Sequence, residues 1–136
     1  MQNLNTLSWD SKIDDVATEF TLNSLQRRVL DITVCALAGK HQKGSQAFIY
    51  CGGEGGTGKT RVIAALVRLL EMANLRHIVS VTAASGSAAD SVNGTTVHSA
   101  LGLPVRGSKL RTTPQLKRAW AQKDILILDE VYPPIP

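Results

Sequence analysis

Three stretches of the chain are apolar in runs too short for helices and bounded by turn or polar residues. They fall at 46–51, 77–82 and 124–129, and each predicts a β-strand. Between the first two the period changes. Val62, Ile63, Leu66, Val67, Leu69 and Leu70 make a helix over about 59–73 apolar on most sides, with Asn74 placed to end it. Strand, helix, strand is the crossover that joins parallel neighbours. Upstream, Leu25, Val29, Ile32 and Ala36 recur at helical spacing. Asn23 is the N-cap of that helix, Gln26 completes a capping box, and Gly39 stops it. Downstream, the small residues at 83–89 turn into a short helix, and a threonine in the 94–101 stretch caps another. Thr113-Pro114 opens a helix to about Gln122. The pattern is α/β: a parallel sheet with flanking helices.

The remaining stretches carry less. Residues 1–20 hold only scattered apolar points, Trp9, Ile13, Val16 and Phe20, and read as a loosely ordered lead-in. Residues 40–45 and 102–113 are polar, basic loops. The last six residues include three prolines and cannot open a helix.

Composition narrows the class. A chain of 136 residues, 43% hydrophobic, with a mean hydropathy of +0.00, holds at most one domain with a modest core. No apolar run approaches bilayer length and the N-terminus lacks a signal-peptide core, so no membrane partner is expected. Cys35 and Cys51 are too far apart for a metal-type pair and sit in apolar surroundings. They read as buried free thiols in a reducing compartment. A net charge of +4 and a pI near 9.3 allow a polyanionic partner without requiring one, and 4% aromatic content offers no base-stacking platform. Arg27, Arg28, Lys117 and Arg118 read as solvated, and His77 as a surface residue with no second ligand nearby.

The chemistry concentrates where the first strand gives way to its helix. Gly53-Glu54-Gly55-Gly56-Thr57-Gly58-Lys59-Thr60 fits the phosphate-loop pattern, which arises by chance in roughly one chain of this size in a few hundred. Gly53, Gly55, Gly56 and Gly58 allow backbone angles closed to other residues and leave no side chain between amides and phosphate. The helix from about Lys59 aims its opening N–H groups and positive dipole end at the loop. Lys59 adds a cation for the outer phosphates and the Thr60 hydroxyl can ligate magnesium. The third strand ends in Asp129 and Glu130, as a buried parallel strand delivers acids to the carboxyl edge of a sheet. Downstream of a phosphate loop, Asp129 can hold magnesium through water and Glu130 can polarise the attacking water.

Over about residues 20–130 the chain resembles the Pif (petite integration frequency) DNA helicases, the RecD-like branch of helicase superfamily one. The resemblance rests on Leu22-Asn23-x-x-Gln26, the glycine loop at 52–60, Thr82-Ala83-x-Ser85-Gly86-x-Ala88-Ala89, Gly94-Thr95-Thr96-x-His98-Ser99, and Ile127-Leu128-Asp129-Glu130, in that order. It implies a P-loop NTPase with a RecA-like parallel sheet, and an ATP-dependent DNA helicase of the 5'-3' type acting in repair, recombination and telomere maintenance. Residence in the nucleus or mitochondrion is implied with it. Gln26 would contact adenine beside its capping role. Gly53, Gly55, Gly56, Thr57, Gly58, Lys59 and Thr60 would hold ATP, Thr60 and Asp129 would serve Mg2+, and Lys59, Asp129 and Glu130 would be catalytic. Ser85, Gly86, Thr96 and His98 would face single-stranded DNA.

Two departures qualify the match. Asp90 and Ser91 stand where family members carry small apolar residues, and 131–136 replaces a helix containing Ser-Met. The organisation expected is a lead-in at 1–20, a partial motor domain at 21–130 and a proline-rich tail at 131–136. The strand that the family sets between those at 46–51 and 124–129 would be missing, which predicts a gap or another pairing there. Two rival classes remain: a non-catalytic module binding nucleotide and single-stranded DNA, and an unrelated phosphate-loop kinase. The 94–99 element disfavours the kinase.

Overall fold

The computed structural model describes residues 6–39, 46–53, 58–104, 107, 109 and 112–130. The chain forms two compact units, Met1–Asn74 and Leu75–Pro136.

The first unit is helical: α1 (Thr6–Glu19), α2 (Ser24–Gly39) and α3 (Lys59–Met72). Each contributes a stripe at i, i+4 and i+7: Trp9, Ile13 and Val16; Leu30, Val34 and Leu37; Val62, Leu66 and Leu69, all buried. The helices pack against one another in all three pairings, with Ala65 and Leu70 filling the space between. Burying each large side chain contributes about 1.5–3 kcal/mol. The one polar group in this core, the Thr33 hydroxyl, donates to the Val29 carbonyl at 2.8 Å and so leaves no unmet donor. α1 ends in a left-handed residue, Thr21 (φ 51°), with the Leu22 N–H donating to Ala17 O and the Thr21 N–H to Thr18 O. This paired closure turns the chain sharply into α2. Arg27 pairs with Asp14, and Arg68 with Glu19 at 3.4 Å. Both pairs are half-exposed and contribute roughly 0.2–1 kcal/mol each.

Four expectations are corrected in this unit. The lead-in is a packed helix, because Trp9, Ile13 and Val16 are one helical stripe rather than scattered points. The buried face of α2 is Leu30, Thr33, Val34 and Leu37, whereas Leu25 is 74% and Ile32 42% exposed. Both stripes of α2 have helical spacing, and α1 and α3 cover only the second. Residues 46–53 form no strand, and Phe48 and Tyr50 are each 87% exposed. A strand needs a ladder partner for its N–H and C=O groups, and a purely helical unit supplies none. Cys35 and Cys51 are free but exposed, Cys35 because it lies off the buried stripe of α2 and Cys51 because its strand does not form.

The second unit is an α/β layer. A 3-10 turn (Arg76–Ile78) leads into β1 (Val79–Ala83), then α4 (Gly86–Ser91), β2 (Thr95–Thr96), α5 (Val97–Leu101), α6 (Pro114–Ala121) and β3 (Ile125–Asp129). The sheet order is β2-β1-β3 and every pairing is parallel. Val79 to Ala83 lie opposite Ile125 to Asp129, and Thr82 and Ala83 lie opposite Thr95 and Thr96. β1 is the core, with Val79, Val81, Thr82 and Ala83 all buried. Ala88 and Ala89 of α4 pack on Ala83, where larger side chains would hold the helix off. The buried Thr82 hydroxyl donates to Ile127 O at 2.8 Å, adding a side-chain tie to the β1–β3 ladder. α6 is pinned to α5 by Trp120, whose Nε1–H donates to Ala100 O at 2.8 Å.

The expected caps hold: a threonine, Thr96, on α5, Thr113 on α6 with Pro114 at its first position, and Asn74 left-handed (φ 57°) after α3; Ser85 also caps α4, which the sequence reading did not name. Two details differ. The second strand starts at Val79 because residues 76–78 take the 3-10 turn. The third strand is not fully buried: Leu126 is 46% and Leu128 42% exposed, because β3 is an edge of the described sheet and one of its faces is uncovered. No described helix is long and apolar enough to cross a membrane.

The buried face of α2 can be tested directly. Leu30→Ala should cost about 2–5 kcal/mol in urea denaturation, and Leu25→Ala less than about 0.5 kcal/mol. Comparable losses at both positions would contradict the observed packing.

Candidate nucleotide and nucleic-acid site

In the first unit the site is built at the amino end of α3. Gly58 precedes the helix with φ 87°, a left-handed angle that favours glycine, and no side chain caps the helix there. A second constraint falls on the same residue, since a Cβ on Gly58 would overlap Gln26 Nε2. Gln26 is fixed from both sides. Its Oε1 accepts from the Asn23 N–H at 2.9 Å, while its own N–H donates to Asn23 Oδ1 at 2.9 Å. This is the capping box expected from the sequence, and it leaves Nε2 to donate to the Gly58 carbonyl at 3.4 Å. The amide of Gln26 therefore couples the start of α2 to the start of α3.

Lys59 Nζ donates to the Gly53 carbonyl at 2.6 Å, tying together the two described ends of the glycine-rich stretch. Thr60 is exposed on the first turn of α3. The opening amides of a helix have no acceptor within it, so Gly58, Lys59 and Thr60 sit where an anion finds N–H groups and a positive dipole end. Gly55, Gly56 and Thr57 lie outside the described residues.

In the second unit the other candidates leave the carboxyl edge of one parallel sheet. Ser85 and Gly86 follow β1, Thr96 and His98 close β2 and open α5, and Asp129 and Glu130 end β3. The register sets Thr96, Ala83 and Asp129 in one row, the outer two strands being about 10 Å apart across β1. The Ser85 hydroxyl accepts from the Ala88 N–H at 3.3 Å and lies 3.3 Å from Ser87 Oγ. Gly86 faces open space. The Thr96 hydroxyl accepts from the Ser99 N–H at 3.3 Å, and His98 is exposed. Asp129 is half-buried, and one of its oxygens accepts from the Glu130 N–H at 2.9 Å. Glu130 itself is left-handed, with φ 54°. Among the described residues no three of His, Cys, Asp and Glu gather into a metal-binding cluster. Asp90 and Ser91, the departures from the helicase pattern, are both exposed on α4, where polar residues cost nothing in packing.

The family model of PIF1-like helicases matches residues 21–133. The chain belongs to the PIF1-like helicase family. Among curated relatives it is similar to the ATP-dependent DNA helicase PIF1 of Trypanosoma brucei brucei, 33% identical over 122 residues, covering 90% of this chain and 11% of that protein. It is also similar to the helicase PIF3 of the same organism (32% over 122 residues, 90% and 14%) and to the helicase RRM3 of Saccharomyces cerevisiae (27% over 90 residues, 61% and 12%). The chain thus spans between about a tenth and a seventh of the length of these relatives. No solved structure matches it. The parallel sheet with flanking helices is that of a P-loop, RecA-like α/β domain in incomplete form.

Sequence reasoning missed the Lys59 tie to the Gly53 carbonyl and the second hydrogen bond of Gln26. Backbone acceptors leave no mark in a sequence. Gly58 did carry a signal, and its two constraints make a contrast. Gly58→Ala should lower the melting temperature by several degrees, corresponding to at least about 1 kcal/mol. Gly86→Ala, on a helical residue in open space, should leave it unchanged or raised. Equal effects by circular dichroism melts would refute the Gly58–Gln26 coupling.

Proposed function

We propose that this chain supplies the ATP-binding front portion of an ATP-dependent DNA helicase motor, with residues 21–130 as that portion. The observation that carries the proposal is the amino end of α3, where Gln26 donates to the Gly58 carbonyl and Lys59 donates to the Gly53 carbonyl. Its chemistry suits a nucleoside triphosphate: helix amides and a lysine for phosphates, with Gln26 for the base. The names of the relatives, all ATP-dependent DNA helicases, support the same reading.

Magnesium is the metal this implies. The Thr60 hydroxyl and the Asp129 carboxylate are hard oxygen donors of the kind it takes, and the single internal hydrogen bond on Asp129 leaves its second oxygen to serve a cation or its water. When bound, magnesium would neutralise charge developing on the phosphates. Lys59 would orient the outer phosphates, and Glu130 would take the proton of the attacking water. Single-stranded DNA is the proposed polymer, met by Ser85, Gly86, Thr96 and His98. The caps on α4 and α5 use Ser85 and Thr96 as acceptors, so each hydroxyl keeps an O–H that can donate to a phosphate oxygen. Work in repair, recombination and telomere maintenance, in nucleus or mitochondrion and with 5'-3' polarity, follows from the family.

Two measurements test this. Lys59→Ala should weaken ATP–Mg binding about tenfold to a hundredfold in a fluorescence titration, the loss of one charge-assisted phosphate contact. An unchanged affinity would remove Lys59 from the site. Single-stranded DNA binding should weaken steeply with salt, and Thr96→Ala and His98→Ala should each reduce it further, while Thr96→Ser keeps both cap and binding. A salt-insensitive affinity that none of these variants changes would contradict the assignment.

A further inference from the structure

Beside β1 lies a hollow of about 200 Å³ that no part of the nucleotide or DNA reading uses. It exists because β2 is only two residues long. β2 covers Thr82 and Ala83 of β1 and stops, leaving Val79, Ser80 and Val81 to line an open space with Asn93, Gly94 and Thr95. The chain is held there by the end of α4. Asn93 takes a left-handed φ of 50°, the Gly94 N–H donates to Ala89 O at 2.8 Å, and Gly94 sits so close to β1 that a Cβ would overlap the Val81 carbonyl.

Into this hollow come two cations. Arg76 NH1 donates to the Val79 carbonyl at 3.2 Å. Lys123 Nζ donates to the same carbonyl at 3.3 Å and to His77 O at 2.8 Å. Sharing one acceptor holds the two charges within a few ångströms of each other. Among the described residues no acidic side chain lines the hollow and neither cation makes an ion pair. Neutral carbonyls orient both groups without cancelling their charge. One N–H of the ammonium and most donors of the guanidinium remain for another acceptor. Asn93, Ser80 and Thr95, all polar residues, also line the hollow.

We propose that this hollow is an anion site for a phosphate-type oxyanion, held by Arg76 and Lys123 with Asn93 and Thr95 at its rim. Two adjacent cations with unused donors, in a concavity without carboxylates, match a group that carries charge on several oxygens. The site is independent of the glycine loop, so it stands whether or not Lys59 serves a nucleotide.

The test is a titration of the 15N-labelled chain with inorganic phosphate, ionic strength being held constant with chloride. Saturable shifts are expected at the amides of residues 76–80 and 93–95, unchanged in Lys59→Ala. Lys123→Arg should bind as the parent does, and Arg76→Gln with Lys123→Gln should bind at least about tenfold more weakly. Pyrophosphate, with more oxyanion charge, should bind more tightly than phosphate; this comparison needs no variant, should the double substitution unfold the unit. A short oligothymidylate that shifts the same amides and displaces phosphate would make the source a nucleic-acid backbone. If it fails to displace phosphate, the source is a small free anion. Shifts no larger than those from chloride, shifts confined to residues 58–60, or pyrophosphate binding no tighter than phosphate would overturn the proposal.

Discussion

The first unit depends on the side-chain amide of Gln26. One end of that amide accepts from the Asn23 N–H and so fixes where α2 begins. The other donates to the carbonyl of Gly58, the residue at which α3 begins. Two helix starts separated by more than thirty residues are thus set by one planar group. The planarity matters, because fixing Oε1 also fixes Nε2. Gly58 must then lack a Cβ for a reason unrelated to its own φ, and the two demands coincide at one residue. The helical core beneath carries most of the stabilisation.

The second unit rests on a different constraint. β1 is buried, and a buried strand must pair its backbone. β3 pairs with all five of its residues and β2 with only the last two. The parallel register brings the three strand ends into one row at the carboxyl edge. The short reach of β2 leaves one flank of β1 to arginine and lysine side chains rather than to a ladder. The edge that bears the candidate DNA and acid residues thus follows from the register, and the hollow that bears Arg76 and Lys123 from the length of β2.

Much of this was legible in the sequence, for identifiable reasons. Caps are local: Asn23 with Gln26, Thr96, and Thr113 with Pro114 each satisfy an amide three residues away, as expected, and Ser85 does the same for α4 without having been named. The strands expected at 77–82 and 124–129 form at 79–83 and 125–129, where short β-branched and apolar runs find ladder partners in each other. Where tertiary context decides, the sequence was silent or misleading. Leu25-Val29-Ile32-Ala36 and Leu30-Val34-Leu37 are equally good stripes, and only the positions of α1 and α3 choose between them. Phe48 and Tyr50 have strong strand propensity, but propensity forms no ladder without a neighbour. Trp9, Ile13 and Val16 had helical spacing, yet three apolar residues among polar ones look weak until the surface they cover is known. Of the candidate site, Gly55, Gly56 and Thr57 lie outside the described residues, and the roles of the rest remain proposals built on their placement.

On the reading proposed above, Ser85, Thr96 and Gln26 would each carry two kinds of work in one side chain. Ser85 and Thr96 would be read as cap residues in any protein, and in this one their oxygens do accept helix amides. A hydroxyl has separate donor and acceptor functions, so accepting a cap bond uses a lone pair of the oxygen and does not use its proton. Gln26 divides its amide in the same way, with Oε1 on the cap and Nε2 on the glycine loop. A local structural role therefore need not compete with the proposed ligand role at these positions. It fixes the heavy atom, which would reduce the ordering cost of binding. Among the described residues nothing ties the ring of exposed His98, so it would contribute through reach rather than through preset geometry.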